Sequence, residues 1–146
     1  AKLTCSRSSA RQPLDWGLVH EVGGILLRRA NAEGDEWDYA GWVFEPTDGQ
    51  SYGGEIFRYY GRERRLISLG TDQRTAARAF LRFRALSTGE DGEPWIKCLL
   101  AIRRRDKALK MFFEFEDPKR WKLTSANVDQ GREILLGEAF PEVKDG

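Results

Sequence analysis

Three carboxylates crowd one short stretch of this chain: Glu114, Glu116 and Asp117. Paired carboxylates can divide acid and base roles between them, or hold magnesium. The same stretch also fits a plainer pattern. Leu109, Met111, Phe113 and Phe115 alternate with Lys110, Glu114 and Glu116. Strand side chains alternate between faces, so the run 109–115 reads as a half-buried strand with one wet side, and the wet side is the preferred role for the acids. Glu93 and Lys97 sit four apart, like a nuclease carboxylate–lysine pair, but Pro94 between them marks a strand start. His20 is the only histidine and could act as a base near neutral pH. It falls on an amphipathic helical stretch with no nucleophile nearby. Metal sites need clusters of His, Cys, Asp and Glu. One histidine and two distant cysteines, Cys5 and Cys98, do not supply one, so no metal and no cofactor is expected. Leu69-Gly70-Thr71 ahead of a helix is too short to specify a phosphate cradle.

Binding chemistry is better represented. Arg74, Arg78 and Arg82 recur every four residues, and Arg103, Arg104 and Arg105 crowd a turn. Such patches can grip phosphates; the alternative is a solvated helix face and a charged turn that discourages edge pairing. Asp35, Glu36, Trp37, Asp38 and Tyr39, with Tyr52, Tyr59 and Tyr60, mix aromatic and acidic groups in the manner of a protein-recognition surface. Of these, Asp35, Glu36, Trp37, Asp38, Tyr52 and Tyr59, with the three arginines of the 74–82 stripe, are the candidate partner-binding set.

The elements that must position them follow from spacing. Residues 1–13 are small and polar, and are expected to be a flexible lead-in. Leu14, Leu18, Val22, Ile25, Leu26 and Leu27 recur at helical intervals, but Gly23-Gly24 is expected to end the helix near Val22, and 24–29 could open a strand. Runs 39–45, 51–60 and 65–69 read as a three-strand meander. Pro46-Thr47-Asp48-Gly49 turns between the first two. Thr71 is the expected cap of a helix over 72–86. Apolar runs 95–102 and 109–115 flank Arg103-Arg104-Arg105-Asp106-Lys107 and form an antiparallel hairpin. A last helix begins near Thr124 or Ser125 and turns Val128, Ile134 and Leu135 inward. The expected fold is α+β: an antiparallel sheet of about five strands, a three-strand meander plus a hairpin, with helices packed on one face.

Composition bounds the rest. The 146 residues fit one domain. Twenty-four Lys and Arg against 23 Asp and Glu leave a net charge of +1, which offers no general attraction for nucleic acid. No apolar run approaches the roughly 20 residues that cross a bilayer, so no membrane role is expected. The cysteine usage fits a reducing, cytoplasmic setting.

The stretch from Glu93-Pro94-Trp95 through 109–115 to Glu116-Asp117-Pro118-Lys119-Arg120-Trp121 resembles the late hairpin of small bacterial toxin-immunity proteins of the YezG-like family. There a Trp-led strand pairs with a phenylalanine-rich strand that ends in acids. The layout of helix, meander and helix ahead of it is similar. The resemblance implies a non-enzymatic inhibitor that binds a cognate secreted toxin domain, often a nuclease delivered by contact-dependent inhibition or type VI secretion. It would block the toxin's active site or substrate entry. The alternative is a nucleic-acid-binding module built on the arginine patches. A third possibility is a small hydrolase using Glu114, Glu116 and Asp117.

Overall fold

The computed structural model describes residues 16–32, 34–46, 52–86 and 94–145. Expectations for 1–13, Cys5, Leu14, 47–49 and Glu93, and for the side chain of Tyr52, lie outside the described residues.

Five antiparallel strands form one sheet. They are β1 (Tyr39–Pro46), β2 (Tyr52–Tyr60), β3 (Glu63–Leu66), β4 (Lys97–Arg103) and β5 (Ala108–Glu114). Their order is β3-β2-β1-β4-β5, so the meander and the hairpin meet along β1 and β4. The expected class, strand number and pairings within meander and hairpin hold, but the third strand runs over 63–66 rather than the expected 65–69. Helices α1 (Trp16–Asn31) and α2 (Gln73–Leu86) lie on one face, over Trp42, Phe44, Leu100, Ile102, Met111 and Phe113.

The helices are not confined to that face. The short helix α3 (Gly131–Leu136), with the 3-10 turn Pro141–Asp145, covers the opposite one. There Leu135, Leu136, Phe140, Val143 and Trp121 bury Val43, Phe57, Leu99, Ala101 and Phe112. The expected wet side of 109–115 is therefore largely dry: only Lys110 and Glu114 keep partial access, while Ala108 and Phe112 are buried. A strand covered on both faces carries a continuous apolar run, as Cys98-Leu99-Leu100-Ala101-Ile102 does in β4.

Helix α1 runs unbroken through Gly23 and Gly24, against the expected stop near Val22. Its stripe of Leu18, Val19, Val22, Ile25, Leu26 and Ala30 is buried. That burial outweighs the roughly 1 kcal/mol that each glycine costs. Gly23 also lets the helix approach the sheet closely. A Cβ there would lie 3.0 Å from Leu109 Cδ2. Thr71 does not cap α2; it lies in a 3-10 turn, Gly70–Asp72, where its hydroxyl accepts a 3.3 Å bond from Arg29 Nη2. Nor does a helix begin at Thr124. Its hydroxyl accepts from the Ala126 N–H at 3.2 Å in a turn, and Val128 is exposed rather than inward.

Candidate functional site

Most of the chemistry-bearing residues are committed to holding the fold. The Glu114 carboxylate accepts backbone N–H groups from Phe115, Glu116 and Asp117 at 3.1, 3.0 and 3.1 Å, and Arg120 Nη1 at 2.8 Å. Burial alone would raise its pKa. The backbone donors of Glu116 and Asp117 and the Arg120 guanidinium outweigh that and hold the carboxyl below its usual range. Glu116 and Asp117 are exposed beside it. A depressed folded pKa means that the stabilisation is complete above the unfolded value of about 4.3 and is lost as pH falls through the folded one. Asp72, Asp106, Glu133 and Glu142 shift the same way. Thermal unfolding should therefore drop to lower temperature as pH falls below about 4.3, and Glu114→Gln should flatten that drop. An identical acid profile in wild type and variant would contradict this account of Glu114.

Lys97 is buried and donates to the carbonyls of Pro118 and Arg120 at 2.7 and 3.0 Å. It pins the loop that presents Trp121, whose positive φ of 63° is unusual for a large side chain. His20 is exposed on α1, and Cys98 is buried on the helix side of β4. Among the described residues no three His, Cys, Asp or Glu side chains come together to hold a metal ion.

The arginine turn is divided. Arg103 bridges Asp106 at 2.8 Å and Glu142 at 2.6 Å, and Arg104 reaches Asp35 at 3.5 Å. Arg105 is exposed. Arg74, Arg78 and Arg82 are exposed along α2, and none forms an ion pair with a described residue.

Three members of the expected recognition set are corrected. Trp37 is 1 % exposed and donates its indole N–H to Asn31 Oδ1 at 2.9 Å, so it closes the end of α1 and is no contact for a partner. Asp38 ties three elements together. Its N–H donates to the Tyr59 carbonyl, its carbonyl accepts from the Arg104 N–H, and its carboxylate accepts from the Gly61 N–H at 2.8 Å. Tyr59 is 3 % exposed, and its hydroxyl has no hydrogen-bond partner among the described residues. The neighbour that faces outward is Tyr60, 55 % exposed. Tyr52 has its backbone in β2, and its side chain lies outside the described residues.

Asp35 and Glu36 do remain on the surface, and they border a groove of about 250 Å³ with Gly34, Arg58, Tyr60, Glu63 and Arg65. A second groove, of about 260 Å³, opens on the other side of the sheet between Glu55, Arg64, Leu123, Thr124, Ser125 and Val128. Arg64 pairs with Glu55 there, and Arg62 with Glu133 at 2.8 Å. Both grooves flank the same edge hairpin, β2–β3. The large hydrophobic side chains exposed among the described residues are Tyr60, Leu66 and Val128, and each lies on this hairpin or borders one of its grooves. The sequence carried one cue to it. Tyr59 and Tyr60 are adjacent in a strand, so they must point to opposite faces.

No protein-family model matches the chain. No curated protein matches it either. Among the described residues no helix is long and apolar enough to cross a membrane.

Proposed function

We propose that this chain is an immunity protein: it binds a cognate secreted bacterial toxin in the cytoplasm and neutralises it by blocking the active site or substrate entry, with no reaction of its own. The observation that carries this role is the β2–β3 end of the sheet. Exposed Tyr60 and Leu66, Arg62, Arg64 and Arg65, and two flanking grooves gather there. Aromatic and arginine side chains beside exposed aliphatic ones are the composition of protein-recognition surfaces. The ionisable groups elsewhere in the sheet, such as Glu114 and Lys97, are engaged in internal bonds. The resemblance to YezG-like immunity proteins points the same way, toward an effector delivered by contact-dependent inhibition or type VI secretion. The decisive partner is the variable C-terminal domain of a large secreted polypeptide encoded immediately upstream. Co-expression should yield a complex that survives gel filtration and should restore growth to cells making that domain. Absence of both complex and rescue would overturn the role.

A nucleic-acid-binding role would rest on a different face, the exposed Arg74, Arg78 and Arg82 of α2, which form no ion pair with a described residue. Three phosphate contacts imply an affinity for single-stranded RNA that falls with a log–log salt slope of about −2. A flat titration removes that role.

A further inference from the structure

The strand β3 is one edge of the sheet, and its backbone polarity follows from the pairing. Ile67 donates its N–H to the Ile56 carbonyl at 2.8 Å. The register continues as Phe57–Leu66, Arg58–Arg65, Tyr59–Arg64 and Tyr60–Glu63. Antiparallel pairs alternate between bonded and non-bonded, so Arg65 and Glu63 turn their N–H and C=O groups toward β2. Arg64 and Leu66 turn theirs outward. Among the described residues no backbone group bonds to those outward groups.

The side chains sort by the same alternation. Arg58, Tyr60, Glu63 and Arg65 face the α1 side and line the first groove. Arg64 and Leu66 face the α3 side, where Arg64 lines the second groove with Leu123 and Val128. A strand laid along β3 would send alternate side chains into the two grooves. Their chemistries differ. The first holds three carboxylates, Asp35, Glu36 and Glu63, against two guanidiniums. Both guanidiniums are occupied: Arg58 bonds the carbonyls of Ala30 and Gly34, and Arg65 bonds Glu63 at 3.0 Å. Glu36 has no ion-pair partner among the described residues. The second groove presents the aliphatic surface of Leu123 and exposed Val128, and Leu66 is exposed on the same face of β3.

We propose that β3 is a docking edge that takes an extended segment of a protein partner as a sixth strand, with basic side chains entering the groove at Asp35, Glu36 and Glu63 and apolar ones resting on Leu66, Leu123 and Val128. This deepens the neutralising role proposed above and names the segment through which the toxin would be held. A second copy of the chain is a poor occupant. Pairing two Glu63-Arg64-Arg65-Leu66 strands brings arginines beside arginines, and like charges across a ladder are destabilising.

The test uses the full chain, ¹⁵N-labelled, with two probes. One is a blocked peptide of alternating Lys and Val, against a control of the same composition with the lysines and valines in separate blocks. The other is the C-terminal domain encoded upstream. Both the alternating peptide and the domain should slow amide exchange at Arg64 and Leu66, and the block peptide should not. Leu66→Pro removes one outward N–H and no bond to β2, so its unfolding temperature should hold while affinity for both probes falls roughly tenfold, the size of one lost backbone bond. Glu36→Lys, at an exposed position, should also weaken both. A domain that binds Leu66→Pro as tightly as wild type, leaving both amides unprotected, overturns strand addition and spares the neutralising role. A domain that fails to bind while the alternating peptide still protects the two amides overturns the neutralising role and spares the edge. If neither probe protects them, or if raising the protein concentration alone does so, the docking proposal is wrong.

Discussion

Phe80→Ala should lower the unfolding free energy by about 3–5 kcal/mol, the range for deleting a fully buried aromatic ring. Phe80 is fully buried on α2. Its ring stacks on Phe44 at 4.4 Å between centroids with 9° between planes, and meets Trp42 edge-on at 4.7 Å. Among the described residues, the other buried positions of α2 are alanines, Ala76, Ala77 and Ala79, with Leu81 partly buried beside them. Small side chains cannot close over the space a lost ring would leave, so the cavity should persist. Against a domain stability of about 5–15 kcal/mol, the loss is a large fraction of the whole. Phe80→Leu keeps most of the volume and should cost under about 1.5 kcal/mol. Urea unfolding checks both, with an unchanged m-value showing that only stability moved. A Phe80→Ala loss below about 1 kcal/mol would mean that α2 is held by something other than this aromatic stack.

Arg58→Met should cost about 3 kcal/mol, because it removes a charged donor from the buried Ala30 carbonyl, which is left unsatisfied, and from the partly buried Gly34 carbonyl. Arg58 is 4 % exposed, and its Nη1 donates to Ala30 O at 2.7 Å and Gly34 O at 3.0 Å. The first bond places a cation at the C-terminal end of α1, where the helix dipole favours one. The second holds Gly34, at φ 110°, and with it the loop that carries Asp35 and Glu36. Methionine keeps much of the volume, so the loss would be electrostatic and not a packing defect. Arg58→Lys should recover part of it, since a single ammonium cannot reproduce the forked geometry of a guanidinium. In Arg58→Met the amides of residues 34–37 should exchange faster, and exchange rates there provide the second measurement. The exposed pair Arg65–Glu63, with side chains 61 % and 63 % accessible, should by comparison contribute little to stability. If Arg58→Met and Arg65→Met destabilised equally, the distinction between the buried and exposed arginine would fail.

The strands were legible because their signal is local. Aromatic and β-branched residues at 39–46, 52–60, 97–103 and 108–114 favour extended backbone, and proline and glycine punctuate them. The candidate surface was half legible. Asp35 and Glu36 are exposed as their charges predict, and the arginine stripe of α2 is wet as its spacing predicts. Trp37 and Tyr59 misled because an amphipathic aromatic beside charges looks the same whether its ring faces water or a core. The burial of Tyr59 depends on Gly131, which is distant in sequence. Gly131 leaves room for the Tyr59 hydroxyl: a Cβ there would lie 2.8 Å from it.

What the chain determined by itself was the presence of five strands, the pairings within the meander and within the hairpin, and the polarity of α2, since each depends on residues near in sequence; the β1–β4 pairing that joins meander to hairpin spans some sixty residues and belongs to the tertiary structure. Tertiary structure alone decided that the sheet is covered on both faces, that α1 runs through two glycines, and that Tyr60 rather than Tyr59 reaches solvent. Each of those outcomes turns on apolar surface brought together across tens of residues. Local periodicity shows which side chains can be buried. Only the assembled layers settle which of them are.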